Sequence, residues 1–347
     1  MSRFKFLLLA SLAACGTSGS HTGDTGTCPP MTMGASTLAG GGSAGYVDGD
    51  RCTALFHNPV SVAIGPDGKV YVADFDNGKI RAVSSDGTTE TIVAKQGFSR
   101  PFAVTFGGST LYVATDNDPN NQHGPMSGTI WKVDIHAKTA TPLAVDVGRP
   151  RGLFMLKDGR LGATDYENHV VEAIDVNTGM ITNIAGTFGQ AGFADGAGAA
   201  ARFSAPYGIV QRSDGKLIVA DWSNQRIRIV GLDGTVSTMA GSSPGFVDGA
   251  MSDAKFNHPQ GMAIDSADNI FMTDLENFRI RKLSGSSITT VAGDGMDGFA
   301  DDDDPQGAEF HGLEGLAVTP DGHTIYVADG TRGEDVPYNR VRVVKVQ

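Results

Sequence analysis

The stretch from residue 183 to residue 241 decides the fold, and it reads NIAGTFGQAGFADGAGAAARFSAPYGIVQRSDGKLIVADWSNQRIRIVGLDGTVSTMAG. It contains an apolar run after Pro206, an Asp-Gly turn at Asp214, a short strand that ends at Asp221, a basic strand at residues 226–228 and a final strand. Gly-type turns between short apolar runs are typical of antiparallel strands. The stretch therefore predicts one four-stranded antiparallel sheet.

Copies of this unit follow one another along the chain. The most regular part, a turn followed by a strand that ends in an acid, occurs at Asp67–Asp74, Asp158–Asp165, Asp214–Asp221 and Ala267–Asp274, and in a form one residue longer at Gly107–Thr115 and Asp321–Asp329. A Phe-x-x-Pro motif or a close variant precedes these copies, and a strand of the Arg-Ile-Arg type follows most of them. Repetition at this spacing predicts an all-β, six-bladed β-propeller with few helices.

The two ends of the repeat region are predicted to meet. Only five final strands follow the six inner sets, because the chain stops after the third strand of the last set. The missing strand has a counterpart at the other end, where the sequence of Ser36–Gly40 (STLAG) differs at one position from that of Ser237–Gly241 (STMAG). We therefore expect residues of about 36–40 to complete the last blade and close the ring, which protects the sheet edges.

The ordered motifs Leu-Ala-Gly, Gly-Phe-x-Asp-Gly, Phe-x-x-Pro-x-Gly, Val-Ala-Asp and Arg-Ile-Arg resemble the bacterial NHL repeat over residues 36–347. The resemblance implies a propeller that serves as a binding platform. Blade 2 departs from it, with Thr115 in place of the strand-end acid and an insertion at residues 116–128. Blade 3 departs as well, with Val170 and Glu172 where arginines belong.

The N-terminus predicts export. A basic start and a short apolar run end in Leu12-Ala13-Ala14-Cys15, which resembles a bacterial lipobox. We expect a signal peptide at residues 1–14, a lipidated flexible tether at 15–34 and the propeller at 35–347, as in an NHL-repeat lipoprotein. The alternative is ordinary cleavage with loss of Cys15. Gly16 follows the cysteine, which favours the outer membrane or periplasm of a Gram-negative cell envelope, with membrane contact through the N-terminal lipid only.

The charge of the chain limits its possible partners, and its cysteine content predicts a disulfide. The formal charge is −12, and cleavage would remove Arg3 and Lys5 to leave −14. Nucleic-acid binding depends on basic side chains that displace counterions, so we expect no nucleic-acid partner. In an exported chain the two cysteines that remain, Cys28 and Cys52, predict a disulfide, and two free thiols are the alternative.

Candidate ligand-binding residues come from the positions at which the repeats differ. The residue after each motif proline should face the mouth of the central channel, and the loops after the Val-Ala-Asp strands should open on the same side. These positions hold Val60, Phe102, Arg151, Tyr207, Gln260 and Glu314, and then Phe75, Tyr166, Trp222 and Leu275. We predict a binding site at Phe102, Arg151, Tyr166, Tyr207, Trp222, Gln260 and Glu314. The alternative is that the aromatic rings are ordinary core between blades.

Repeated acids and bases predict structure rather than catalysis. Asp74, Asp221 and Asp274 stand five and seven residues before basic side chains, namely Lys79 and Arg81, Arg226 and Arg228, and Arg279 and Arg281. One structural ion pair per blade is the preferred interpretation, and a ring of catalytic acids is the alternative. Calcium at the Asp48, Asp195 and Asp248 turns or at the Asp301–Asp304 run is a further alternative to solvated acidic loops.

No catalytic residue, metal ligand or cofactor is assigned from the sequence. His57, His258 and His311 lie near motif prolines, but their positions do not indicate a shared zinc ion. The sequence favours a binding scaffold for a protein, peptide or glycan at the channel mouth. The alternative is a divalent-metal-assisted lyase or lactonase using the same channel. We expect replacement of Arg151 and Tyr207 by alanine to weaken binding with little change in melting temperature.

Overall fold

The repeat unit forms one antiparallel sheet in each of six places around a central axis. The structure is a computed structural model and describes residues 31–346. Within that range the predicted six-bladed propeller is confirmed. Chain order runs from the innermost strand of each blade outwards, except that the outermost strand of each of the last three blades precedes the inner strands in the sequence.

The first three blades contain four strands each. Blade 1 consists of Pro59–Ile64, Val70–Asp74, Lys79–Val83 and Thr89–Val93. Blade 2 consists of Pro101–Gly107, Thr110–Thr115, Thr129–Asp134 and Thr139–Val145. Blade 3 consists of Pro150–Met155, Leu161–Asp165, Val170–Ile174 and Ile181–Ala185.

The other three blades follow the same order. Blade 4 consists of Pro206–Gln211, Leu217–Asp221, Arg226–Val230 and Thr235–Gly241, with Gly196–Ala197 added outside. Blade 5 consists of Pro259–Ile264, Ile270–Asp274, Arg279–Ser284 and Ser287–Ala292, with Gly249–Ala250 outside. Blade 6 consists of Leu313–Val318, Thr324–Asp329, Asn339–Lys345 and the N-terminal Ala35–Gly41.

The N-terminal strand closes the ring as predicted. Ala35–Gly41 pairs antiparallel with Asn339–Lys345, with Ala35 opposite Val344 and Gly41 opposite Asn339. Leu38 from this strand is 1% exposed in the hydrophobic cluster that joins blades 6 and 1. The fourth strand of the last blade therefore comes from the opposite end of the folded region.

Each interface between neighbouring blades has its own hydrophobic cluster, six in the part of the chain that the structure describes. The motif phenylalanines belong to these clusters and are almost fully buried; they are Phe56, Phe98, Phe203, Phe256 and Phe310. The apolar faces of every sheet are thus covered by the next sheet, as a closed ring requires.

The start of each inner strand is shaped by the motif proline. In all six blades the register shifts directly after this position, as at Pro59 in blade 1 and at Leu313 in blade 6. A bulge of this kind redirects the side chain that follows. Glycine two residues after the proline permits close approach at the axis: a Cβ at Gly261 would lie 2.3 Å from the carbonyl oxygen of Glu314.

Four blades contain the predicted ion pair, with N–O distances of 2.5–3.0 Å, and all four arginine side chains are fully buried; the pairs are Asp74–Arg81, Asp221–Arg228, Asp274–Arg281 and Asp329–Arg342. Only the basic residue seven positions after the acid takes part in blades 1, 4 and 5. The basic residues at the fifth position, Lys79, Arg226 and Arg279, instead lie over the rings of Tyr46, Phe193 and Phe246.

Aspartates of the acidic loop turns form ion pairs with the same arginines. Asp48, Asp195, Asp248 and Asp301 each pair with the buried arginine of their blade at 2.6–2.8 Å. Each of them also accepts a backbone N–H from the outer strand, as Asp48 does from Thr91. These carboxylates join the loop, the third strand and the outer strand, which gives them a structural role.

Blades 2 and 3 replace the ion pair in two different ways. In blade 2, Trp131 takes the place of the arginine and donates its indole N–H to Thr115 Oγ1 at 2.8 Å. In blade 3, Glu172 takes that place and is 8% exposed. Burial, reinforced by the charge of Asp165, raises the pKa of Glu172 to about 7.

Helical structure is confined to single turns among residues 31–346; these 3-10 turns are Gly198–Ala200, Trp222–Asn224, Leu275–Asn277 and Pro305–Gly307. No helix in that range has the length and apolar character needed to cross a membrane. The predicted signal peptide, Cys15 and Cys28 lie outside the described residues, so the lipidation and the Cys28–Cys52 disulfide stay predictions.

Candidate functional site

All seven predicted binding residues line one cavity at the end of the channel where the inner strands begin. We call it the mouth cavity; its volume is about 330 Å³. Its lining consists of Asn58, Val60, Phe75, Phe102, Arg149, Arg151, Tyr166, Tyr207, Trp222, Gln260, Leu275, Glu314, Arg332 and Gly333. Below it the axial channel narrows to a space of about 60 Å³ between the inner strands.

The fold brings these side chains together in a simple way. The bulge after each motif proline turns the following residue towards the axis, and the loop after each second strand opens at the same end. Phe102, Gln260 and Glu314 are thereby buried to 8% exposure or less, whereas Tyr166 and Trp222 are half-buried on the loops. The seven predicted residues come from five different blades, so the site depends on the assembled ring.

Aromatic rings form a continuous wall on one side of the mouth cavity. Phe75, Phe102 and Tyr207 meet edge to face at centroid distances of 5.9 and 5.7 Å. Tyr166 continues the wall against Tyr207 at 5.6 Å and against Trp222 at 6.1 Å. Edge-to-face packing leaves parts of the ring faces available to a flat or apolar ligand group. The wall is thus both blade-to-blade packing and cavity lining.

Arg151 is held rigidly within this wall. Its two terminal nitrogens donate to the two carboxylate oxygens of Asp116, at 2.5 and 3.1 Å, and its guanidinium carbon lies 4.0 Å from the centre of the Phe102 ring. The charge of Arg151 keeps the pKa of Asp116 below its ordinary value against the opposing effect of burial. Asp116 was missed at the sequence level, although an acid directly after the strand-end Thr115 was a usable signal.

Glu314 is the one carboxylate in the lining of the mouth cavity within the described range. Among residues 31–346 its side chain accepts a single hydrogen bond, a long one of 3.5 Å from Gln260 Nε2. Burial raises the pKa of Glu314 to about 7, against the opposing charges of Arg151 and Arg332. Burial together with the charge of Glu314 also raises the pKa of Tyr207 well above its ordinary value. A buried carboxyl with a raised pKa in a cleft is a frequent feature of functional sites.

Two cationic residues of the lining were not predicted. Arg149 lies just before the motif proline of blade 3, and Arg332 lies on the long loop after the second strand of blade 6. That loop is held by Asn58, whose side-chain oxygen accepts the backbone N–H of Thr331 at 3.0 Å. The loop departs from the repeat pattern, so the repeats gave no guide to its course.

Hydrogen-bond donors of the lining are incompletely used. Trp222 Nε1 and Arg149 Nε have no acceptor within the described range of the chain. Arg149 makes one hydrogen bond, of 3.4 Å, to Asp116, and Arg332 donates through one terminal nitrogen to Glu276. The lining therefore has unused donors, which suit a ligand that carries acceptor oxygens.

The three histidines near motif prolines have different partners. His57 is near Asp76, with 3.9 Å between Nε2 and Oδ2, and His258 stacks on Trp222 at 4.0 Å. His311 Nδ1 is 2.6 Å from Asp297 Oδ1. Among residues 31–346 no group of three or more His, Cys, Asp or Glu side chains is arranged to hold a metal ion.

Sequence comparison finds a match to a known repeat in blade 1. The family model of the NHL repeat matches residues 56–82, from the buried Phe56 to Ala82 in blade 1. Protein SUPPRESSOR OF QUENCHING 1, chloroplastic, from Arabidopsis thaliana is 29% identical over 182 residues, which are 52% of this chain and 14% of that protein. NHL repeat-containing protein 2 from Homo sapiens is 40% identical over 86 residues, 24% of this chain and 12% of that protein. The chain thus matches a minor part of each relative's length.

Structural comparison shows the propeller fold. A protein of unknown function from Bacteroides thetaiotaomicron has a TM-score of 0.71 at 20% identity, and the alignment covers 90% of this chain and 76% of that protein's chain. An auxiliary nutrient binding protein from the same organism has a TM-score of 0.68 at 18% identity, covering 89% and 75%. A catalytically inactive virginiamycin B lyase from Staphylococcus aureus has a TM-score of 0.53 at 15% identity, covering 83% and 80%. At these identities the similarity concerns the fold alone.

Proposed function

We propose that the protein is an exported, lipid-anchored binding protein of the cell envelope, which takes a small ligand or the end of a peptide or glycan into the mouth cavity. One observation carries the proposal. The positions that differ from blade to blade, while their surroundings repeat, contribute side chains to a single cavity of about 330 Å³. Small-ligand sites usually have volumes of roughly 300–1,000 Å³, mostly apolar walls and a few convergent polar groups.

The chemistry of the lining supports binding of a polar ligand with an apolar face. Tyr166 and Trp222 supply half-buried rings, and Arg149 and Arg332 supply donors that the protein itself does not fully use. The resemblance to an auxiliary nutrient binding protein agrees with this role, although it rests on the fold.

The proposal is tested with a panel of soluble short glycans and short peptides, scored by the rise in melting temperature that ligand binding produces. Trp222→Ala together with Arg332→Gln should abolish a saturable shift that the wild type shows. Arg160→Gln is the matched control, because Arg160 is 35% exposed at a turn on the opposite side of blade 3 and pairs with Asp158. The proposal fails if no probe shifts the wild type, or if the double variant keeps the shift.

A lyase or lactonase is the second candidate, favoured by the raised pKa of Glu314 and by the lyase among the propellers of similar fold. The residues present do not fit its metal ion, because a hard divalent cation takes roughly six to eight oxygen ligands and the mouth lining has one carboxylate. A stoichiometric divalent ion in protein purified without added metal would favour this candidate over the binding protein.

A further inference from the structure

We propose that the ligand of the mouth cavity is a small organic carboxylate with a flat or apolar part, and that it binds together with a proton taken up by Glu314. This rests on the function proposed above. It adds the chemical class of the ligand and a dependence of its binding on pH.

The first step concerns the cations that remain open to a ligand. Arg151 is not one of them, because both of its terminal nitrogens are taken by Asp116. Arg332 is open: among residues 31–346 only one of its terminal nitrogens donates, to Glu276, and its side chain is 21% exposed. An arginine with free donors at the edge of a cavity is a natural partner for a planar carboxylate.

The second step concerns the opposite side of the cavity. Tyr166 belongs to blade 3 and Arg332 to blade 6, the blade opposite it in the ring, and Trp222 belongs to blade 4. Phe75 of blade 1 and Arg149 of blade 3 are further rings and donors of the same lining. A ligand that fills the cavity therefore meets both aromatic rings and guanidinium donors, which favours a molecule that has an apolar face and a carboxylate.

The third step concerns Glu314, which shares the cavity with Arg332. Five titratable groups face Glu314: Arg151 and Arg332 favour its ionised form, Asp76 and Asp116 oppose it, and Tyr207 lies within the same electrostatic range. The acids behind the neighbouring strands, Asp274 and Asp329, are buried and each paired with an arginine. An incoming carboxylate adds a second negative charge beside Glu314.

A single cavity of this size disfavours two close carboxylates that are both ionised. Burial places the pKa of Glu314 at about 7, so protonation of this residue needs little free energy near neutral pH. The ligand's own carboxyl stays ionised, because ordinary carboxyl groups titrate at about pH 3.5–4.5. Binding should therefore strengthen as the pH falls through 7 and weaken above it.

The test uses two matched pairs of probes in calorimetric titrations of the full chain: D-glucuronate against D-glucose, and N-acetyl-phenylalanine against its amide. The pairs separate an acidic sugar from the end of a peptide. At about pH 6 the wild type should bind at least one carboxylate more tightly than its neutral partner by about tenfold or more, and affinity should fall by up to tenfold per pH unit above neutrality. Titrations near pH 7 in buffers of different ionisation enthalpy should show proton uptake.

Variants separate this inference from a general role in binding. Glu314→Gln should bind the carboxylate with no pH dependence and no proton uptake, and Arg332→Gln should lose the preference for the carboxylate over the neutral partner. Glu90→Gln, on the outer strand of blade 1, should behave as the wild type.

Two results would overturn the inference in distinguishable ways. Equal, pH-independent binding of the charged and neutral partners would remove the carboxylate and the proton but leave the mouth cavity as a binding site. Failure of all four probes to bind would overturn the inference, and the wider glycan and peptide panel would then decide the proposed function by itself.

Discussion

Arg151 and Asp116 form a buried two-point ion pair in the wall of the mouth cavity, with nitrogen–oxygen distances of 2.5 and 3.1 Å. Arg151 is 8% exposed and Asp116 is 1% exposed. The expectation that replacing Arg151 would hardly change stability does not fit this arrangement, because Asp116 would be left as a buried charge facing only Arg149.

We therefore predict that Arg151→Met lowers the free energy of unfolding by about 3–5 kcal/mol, the usual loss when one member of a buried pair is removed. Arg160→Met should lose about 0–1 kcal/mol, because its pair with Asp158 is partly exposed. Urea unfolding of both variants measures the difference. Equal losses would mean that the Arg151–Asp116 pair contributes little.

A second prediction separates two arginines of one strand. Arg228 is fully buried between Asp221 and Asp195, whereas Arg226 lies over the Phe193 ring. Arg228→Met should cost about 3–5 kcal/mol. Arg226→Met should cost about 0.5–2 kcal/mol, as expected for a half-buried cation on an aromatic ring. A larger loss for Arg226 than for Arg228 in urea unfolding would contradict the structural assignment.

The third prediction concerns Glu172, the acid that replaces an arginine in blade 3. Its pKa in the folded state is raised to about 7, so folding is favoured by its protonated form, and that contribution is lost as the pH rises through 7. Glu172→Gln should therefore be more stable than the wild type at about pH 8.5, by at most about 3 kcal/mol, and similar to it near pH 4.5.

Melting temperatures of Glu172→Gln and the wild type, measured between about pH 4.5 and 8.5, test this prediction. Glu167→Gln is the control, because the side chain of Glu167 is 41% exposed on the adjacent loop. A constant difference between Glu172→Gln and the wild type at every pH would show that Glu172 does not titrate near neutrality.

The fourth prediction tests the closure of the ring. Leu38 is 1% exposed between blades 6 and 1, so Leu38→Ala should lower the free energy of unfolding by about 2–5 kcal/mol. Met33→Ala should have no measurable effect, since Met33 is 81% exposed. If Leu38→Ala is equally silent in chemical denaturation, the N-terminal strand does not hold blade 6 to blade 1.

The repeats explain why much of the fold could be predicted from the sequence. The residues of the Phe-x-x-Pro-x-Gly motif have the same physical task wherever they recur: in blade 5 the ring of Phe256 fills an interface, and Gly261 lets the inner strands approach. The ring closure could be predicted for the same reason, because the sequence of residues 36–40 closely resembles that of another outer strand.

The rest of the site depends on residues outside the repeats. Asp116 begins an insertion, and Arg332 lies on a loop whose course is set by the hydrogen bond between Asn58 and Thr331. The sequence placed Arg151 at the mouth but could not identify its counter-ion, which comes from another blade. Neither the raised pKa of Glu314 nor the unused donors of Arg149 could be inferred without the three-dimensional surroundings.

The most direct test of the central claim, that the non-repeated residues at the channel mouth bind a ligand, is a crystal structure of the protein with the tightest-binding probe of the glycan and peptide panel. We predict ligand density in the mouth cavity, against Tyr166 and Trp222 and within about 2.7–3.2 Å of a donor of Arg149 or Arg332. Ligand density at another surface, with only solvent between these four side chains, would contradict the claim.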